Sequence, residues 1–165
     1  MPVQTRKALF SDLEGISRIY NQGISDRIAT FESEFKTPKE LESWINNCYP
    51  VIVAVENGEV VAFAASFPYS SRECYRGIGE FSVYVLRSRR GTGIGTIAMK
   101  ALINESEKIG LWKLVSKVFS ENHVSRKMLK EIGFREIGSH ESHAKLDGAW
   151  KDVILVEYLI RSNIR

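Results

Sequence analysis

One hexapeptide constrains this chain more than its composition does: Arg90-Gly91-Thr92-Gly93-Ile94-Gly95. It follows a segment that alternates from Gly79, with Phe81, Val83 and Val85 on one face and Glu80, Ser82 and Tyr84 on the other. It opens a segment in which Ile94, Ile97, Ala98, Ala101 and Leu102 recur at helical spacing, up to a stop at Gly110. The pattern is strand, glycine turn, helix. Such a turn leaves backbone N–H groups without partners and lets an anion approach them, and the helix dipole adds favourable partial charge. A pyrophosphate suits that geometry. A nucleotide-hydrolysing loop, Gly-x-x-x-x-Gly-Lys-Ser/Thr, is excluded because the first lysine after the turn is Lys100. A dinucleotide turn fits poorly: the third glycine comes one residue early, at Gly95, and Lys117 and Phe119 stand where a strand-end acid belongs. The plain alternative is that these glycines serve only a tight turn and close helix packing.

The rest of the chain supplies a mixed framework. Val3 to Leu9 reads as a strand, and Ser11-Asp12 caps a helix carrying Leu13, Ile16 and Tyr20. Asn21 to Lys36, with Ile28, Phe31 and Phe35 at no clear period, reads as a structured loop of the kind that covers sites. Thr37-Pro38 starts a second helix with Leu41, Trp44, Ile45 and Cys48 on one stripe, ending near Pro50. Val51–Val55 and Val60–Phe67 are apolar runs joined by Asn57-Gly58, hence two buried strands of a hairpin. Lys113–Phe119 is another strand, and Asn122 caps a helix with Val124, Met128, Leu129 and Ile132 inward, stopped at Gly133. Two last strands lie between Phe134 and Ile160 around Asp147-Gly148. The order β α α β β β α β α β β predicts an α/β fold of the mixed α+β kind, with about four helices on both faces of one sheet.

With 165 residues, 44% of them hydrophobic and 26% charged, one domain spanning 1–165 is expected. A net charge of +3 without like-charge blocks demands no nucleic acid, and no apolar stretch approaches a membrane span. Cys48 and Cys74 are expected as free thiols in a reducing cytoplasm, Cys74 buried and inert. His123, His140 and His143 lack Glu or Cys at ligand spacing, so no metal is expected. Trp150 is expected to be structural.

Arg90-x-x-Gly93-x-Gly95 resembles the Arg/Gln-x-x-Gly-x-Gly/Ala motif of the GCN5-related N-acetyltransferase superfamily, and Asn122 to Phe134, with Ser125 and Gly133-Phe134, resembles its next motif. The resemblance covers nearly the whole chain. It implies a central, mostly antiparallel sheet of about seven strands, splayed between Phe81–Leu86 and Lys113–Phe119, with the pantetheine of acetyl-CoA in the gap. The cofactor-binding positions it implies are Val83, Val85, Arg90, Gly91, Thr92, Gly93, Ile94, Gly95, Asn122 and Ser125. Asp26–Glu32, Arg72 with Tyr75, Glu80–Val85 and His143–Asp152 look like the phosphinothricin and arsinothricin N-acetyltransferases. This implies a homodimer acting on the α-amine of a small acidic amino acid analogue, and resistance or detoxification as the outcome.

Acetyl transfer to an amine needs a base, donors for the developing oxyanion and a proton for the thiolate. Glu80 is the base candidate, its carboxyl pushed toward neutrality by partial burial; paired with Arg72 or another surface base, it would be merely structural. The backbone N–H of Val85 or Leu86, at an expected bulge, is the oxyanion donor. The family's Tyr or His acid position holds Leu129, which leaves protonation to water, Tyr84 or the acceptor itself. Arg72, Tyr75 and Phe31 match the family's substrate-binding positions, and a guanidinium suits a carboxylate or phosphinate bidentately. Arg27 is either a second anion ligand or a solvated charge. The rival classes are a CoA-binding sensor or interaction module, and an acetyltransferase for peptide N-termini or polyamines.

Overall fold

The computed structural model describes residues 2–165. Its elements are β1 (Gln4–Lys7), α1 (Leu13–Asp26), α2 (Glu42–Ile45), β2 (Val51–Glu56), β3 (Glu59–Pro68), β4 (Ile78–Val85), α3 (Ile94–Lys108), β5 (Lys113–Phe119), α4 (His123–Ile132), β6 (Arg135–Leu146) and β7 (Ala149–Leu159). The strands form one seven-stranded sheet in the order β1-β2-β3-β4-β5-β7-β6. Every pair is antiparallel except β4–β5, so the expected α/β sheet, mixed and mostly antiparallel, is what forms.

Strand periodicity sorts the helices onto the two faces. On the face of Phe63 and Tyr84, Tyr20 of α1 and Trp44 of α2 meet the ring of Phe63. On the opposite face, α3 crosses so closely that a Cβ at Gly95 would lie 3.3 Å from Val85, and Phe134, just after α4, packs on Phe81. Phe63, Ile16, Ile19, Met99, Leu102 and Leu114 fill the two layers, all fully buried. Each such side chain contributes about 1.5–3 kcal/mol by leaving water. The two-residue turns at Asn57-Gly58 and Asp147-Gly148 take the positive φ angles their residue types predict.

Several expectations are corrected. Helix α1 runs on to Asp26, so the irregular loop begins only at Arg27. Its last turn is helical because Gly23 lets the ring of Tyr84 close on the helix and Ile24 is buried. The second helix is a single turn, and Cys48 lies exposed beyond it; Cys74 is exposed too, not buried. Ile97 and Val124 face outward. Trp150, expected as a structural aromatic, stands exposed on the outer hairpin under Lys145. No helix of the described residues is long and apolar enough to cross a membrane.

Candidate active site

The sheet opens where β4 and β5 part. Their pairing runs from Ile78–Lys113 to Glu80–Val115 and stops. Ser116 Oγ then donates 2.9 Å to the Phe81 carbonyl, at the apex of the gap. On the other side β4 stays paired with β3 in unbroken register, and the Leu86 N–H donates 2.8 Å to Val61 O. Antiparallel ladders alternate, so Tyr84 and Ser82 also turn their backbone groups toward β3, leaving those of Val83 and Val85 aimed into the gap. This excludes Leu86 as a free donor and dispenses with the expected bulge. The Val85 N–H is the one that remains.

A cleft of about 790 Å³ occupies the gap on the α3–α4 side. Val83, Val85, Arg90, Gly91, Gly93, Ile94, Gly95, Asn122 and Ser125 all line it, together with Leu129; Thr92 does not. Thr92 instead holds the turn, its hydroxyl donating 2.6 Å to Arg89 O. Gly91 and Gly93 have φ of 77° and 85°, and a Cβ on either would meet open space, so the conformation and not crowding from this chain requires glycine. Gly93 is the N-cap of α3 and has no side chain to satisfy the first N–H groups of that helix. An anion at the turn would meet them.

Charged groups tie α1 to this turn. Asp26 accepts from Arg87 at 2.8 Å and pairs with Arg90 at 2.6 Å. Hydrogen bonds from Arg87, and then from Arg90, hold the Asp26 carboxyl below the usual range. The Arg90 guanidinium is thereby committed to positioning the turn. Asn122 is equally engaged: Oδ1 accepts from the Ser125 N–H at 3.2 Å, capping α4, and Nδ2 donates 3.3 Å to Ile28 O. Arg27, left-handed at the end of α1, pairs with Asp147 at the hairpin turn, 3.3 Å away. The loop after α1 is thus tied at two points to the β5-β7-β6 side of the gap.

That loop roofs a second cavity of about 350 Å³ on the α1 face. Glu80, Tyr84 and Phe31 line it as expected, with Tyr20, Thr30, Phe67, Phe119 and Val153. Phe31 packs edge-on against Phe119 at 4.8 Å. Ala29, Phe81, Ser82, Tyr84, Ser116 and Lys117 line both cavities, so the gap joins them. Glu80 is 40% exposed and faces Lys117 at 3.7 Å, so its basic partner is Lys117, another base of the kind the structural alternative names, and not Arg72. Tyr84 is buried, and that burial, with Tyr20 beside it, pushes its phenol far above the ordinary tyrosine range. Burial thereby favours its protonated form.

Arg72 and Tyr75 line neither cavity. They stack on each other at 5.6 Å in the exposed β3–β4 loop, where Tyr75 also meets Tyr69. The chain itself does not bring them to the acceptor side. Lys117, Tyr20 and Thr30 were missed by the sequence reading. Lys117 had a signal, because it lies two residues beyond Val115, the partner of Glu80, and so on the same face.

Residues 17–134 match the Acetyltransferase (GNAT) family. The chain is 30% identical to the L-methionine sulfoximine/L-methionine sulfone acetyltransferase of Pseudomonas aeruginosa, over 95% of this chain and 94% of that one. It is 27% identical to the phosphinothricin N-acetyltransferase of Streptomyces coelicolor, over 94% and 95%. Among solved structures, yncA of Salmonella typhimurium with its cofactor acetyl-CoA superposes with a TM-score of 0.93 at 25% identity, covering 97% of this chain and 95% of that one. The ribosomal-protein-alanine N-acetyltransferase of Brucella melitensis does so with a TM-score of 0.91 at 27% identity, covering 95% and 99%.

Proposed function

The chain belongs to the acetyltransferase (GNAT) family, and we propose that it acetylates the α-amine of a small amino acid analogue of the phosphinothricin, arsinothricin or methionine sulfoximine type, by direct attack in a ternary complex. It is an acetyl-CoA-dependent N-acetyltransferase, so the donor side needs no further argument; acetyl-CoA supplies the activated acyl group. The observation that carries the acceptor side is the junction of two cavities at the parting of β4 and β5, with Glu80 in the smaller one.

The residues present fit the cofactor. The backbone of Val83 and the N–H of Val85, turned into the gap, suit an extended amide chain, and the turn from Gly91 to Gly95 with the open N-terminus of α3 suits a pyrophosphate. Glu80 receives the proton of the acceptor ammonium, directly or through a water, and so exposes the amine lone pair. The Val85 N–H is positioned to stabilise negative charge developing in the gap. Leu129 lines the cleft and has no proton to give, and burial makes the Tyr84 phenol a weaker acid than an ordinary tyrosine. Protonation of the leaving thiolate therefore falls to water or to the proton held on Glu80. An alkyl thiol, at pKa about 8.5, leaves tolerably on those terms. Neither cysteine lines either cavity, which favours direct transfer over an acyl-enzyme.

The test is thiol release from acetyl-CoA by purified protein, with methionine sulfone, methionine sulfoximine, phosphinothricin, arsinothricin and glutamate offered separately. We expect kcat/KM of about 10⁴ M⁻¹s⁻¹ or above for at least one analogue. If an alanine-terminated peptide is the only acceptor that works, the amino acid reading is wrong and the likeness to the Brucella enzyme carries the function.

A further inference from the structure

The acceptor cavity contains two charged side chains of opposite sign, Glu80 and Lys117. They are the only charged groups among the described residues that line it. Glu80 stands at the last paired position of β4, opposite Val115, and Lys117 follows two residues later on the same face of β5, where the strands have already separated. Their heads lie 3.7 Å apart, Nζ to Oε1, and each is partly exposed to the cavity at 45% and 40%. The walls beyond them are apolar and aromatic, formed by Phe31, Phe67, Phe119 and Val153.

We infer that Lys117 is the group that binds the α-carboxylate of the acceptor, and that the site selects zwitterionic α-amino acids whose side chains carry no further charge. This rests on the acceptor reading above and narrows it. An α-amino acid holds its ammonium and carboxylate on adjacent atoms, a few ångströms apart, so it can lie against a carboxylate and an ammonium that are themselves neighbours. The four charges then alternate around one ring: Glu80 carboxylate, substrate ammonium, substrate carboxylate, Lys117 ammonium. Each charge has an opposite neighbour on both sides, and the cavity, neutral in sum, takes up a ligand neutral in sum. A second anion on the substrate would point toward the aromatic walls, with only hydroxyls such as Thr30 and Tyr20 to meet it, because Arg72 lies outside. A sulfone or sulfoximine, polar but uncharged, needs no more than those hydroxyls. The same contact also orients the reaction. With the carboxylate fixed on Lys117, rotation about the Cα carries the amine to Glu80 and to the gap.

The experiment compares Lys117→Met, Lys117→Arg and the unaltered protein on L-methionine sulfone and on its methyl ester, which keeps the amine and side chain but has no carboxylate. Loss of a charge-assisted hydrogen bond should raise KM for the free acid about 10- to 100-fold in Lys117→Met and alter the ester by less than about threefold. Lys117→Arg should recover most of the loss, which a residue that merely packs β5 would not. The unaltered protein should also prefer methionine sulfone to phosphinothricin. If Lys117→Met weakens acid and ester alike, or neither, the assignment is overturned while the acetyltransferase stands. If the unaltered protein acetylates neither compound yet binds acetyl-CoA by calorimetry, the acceptor reading falls and takes this inference with it.

Discussion

Glu80 occupies a position where one side chain can be tested against two roles. Among the described residues it is the one carboxylate that lines the acceptor cavity, and its partner is Lys117 and not a group from the β3–β4 loop. A structural ion pair at a half-exposed site contributes about 1 kcal/mol or less, so Glu80→Gln should leave the folded protein nearly as stable as before. If Glu80 accepts the proton, the same change should lower kcat at neutral pH by about 10²- to 10⁴-fold, with acetyl-CoA affinity unchanged. The deficit should shrink as pH rises past the acceptor amine's own pKa, where the nucleophile no longer needs a base. A pH–rate profile of unaltered shape in Glu80→Gln would remove the residue from the reaction. In the sequence, alternation put Glu80 on the polar face of β4, since every second residue faces the same way, and the family resemblance singled it out as the base. The sequence did not reveal that Arg72 lies elsewhere, because a loop between two strands has no period from which its direction can be read.

At the level of elements, the positions legible in advance were those where a local rule decides the structure. Glycine after a strand, Asn-Gly and Asp-Gly between apolar runs, and Asn122 ahead of a helix each fixed a turn or cap without help from the rest of the chain. The errors lie where packing overrides local signals: the last turns of α1 look polar but close on Tyr84, and α2 looks like three turns but winds only one. The outer sheet shows a further interaction that no local pattern contains. Glu157 of β7 is buried between Arg135 of β6, 2.8 Å away, and Lys113 of β5, 3.3 Å away. The hydrogen bond from Arg135, then that from Lys113, holds its carboxyl below the ordinary glutamate range against the cost of burial. A depressed carboxyl contributes stability that is present above its unfolded pKa, about 4.3, and is lost as pH falls through the lower folded value. Glu157→Gln should therefore cost about 1–3 kcal/mol at pH 7, seen in urea unfolding, and the gap between the two proteins should close in acid. A gap that persists unchanged well below pH 4 would mean that shape, not charge, makes Glu157 important.

The whole molecule is organised around a sheet that fails to close. Four strands on one side of the gap, β1 to β4, carry α1 and α3 on opposite faces, and the parting of β4 from β5 lets the cleft under α3 and α4 reach the cavity under α1. The Val83 backbone groups and the Val85 N–H that a continuous sheet would pair are left for a ligand, while the Val85 carbonyl accepts from Arg90 Nε at 3.4 Å, so the bound state completes the hydrogen bonding that the fold leaves open. Ligand occupancy should consequently be felt on both faces. Acetyl-CoA at about 100 times its Kd adds about 2.7 kcal/mol to the folded state by mass action. For a chain of this size that should raise Tm by about 5–10 °C. Amide exchange should slow at Val83 and Val85, at the start of α3, and in the loop after Arg27, which Asn122 joins to the cleft through Ile28. Gly93→Val, forced out of a φ of 85° and carrying a side chain into the space the pyrophosphate needs, should fold less stably and show no such shift. Protection confined to the α3–α4 face would separate the two cavities and reduce the gap to a feature of cofactor binding alone. Protection on both faces would tie the donor and acceptor sites to one opening in the sheet.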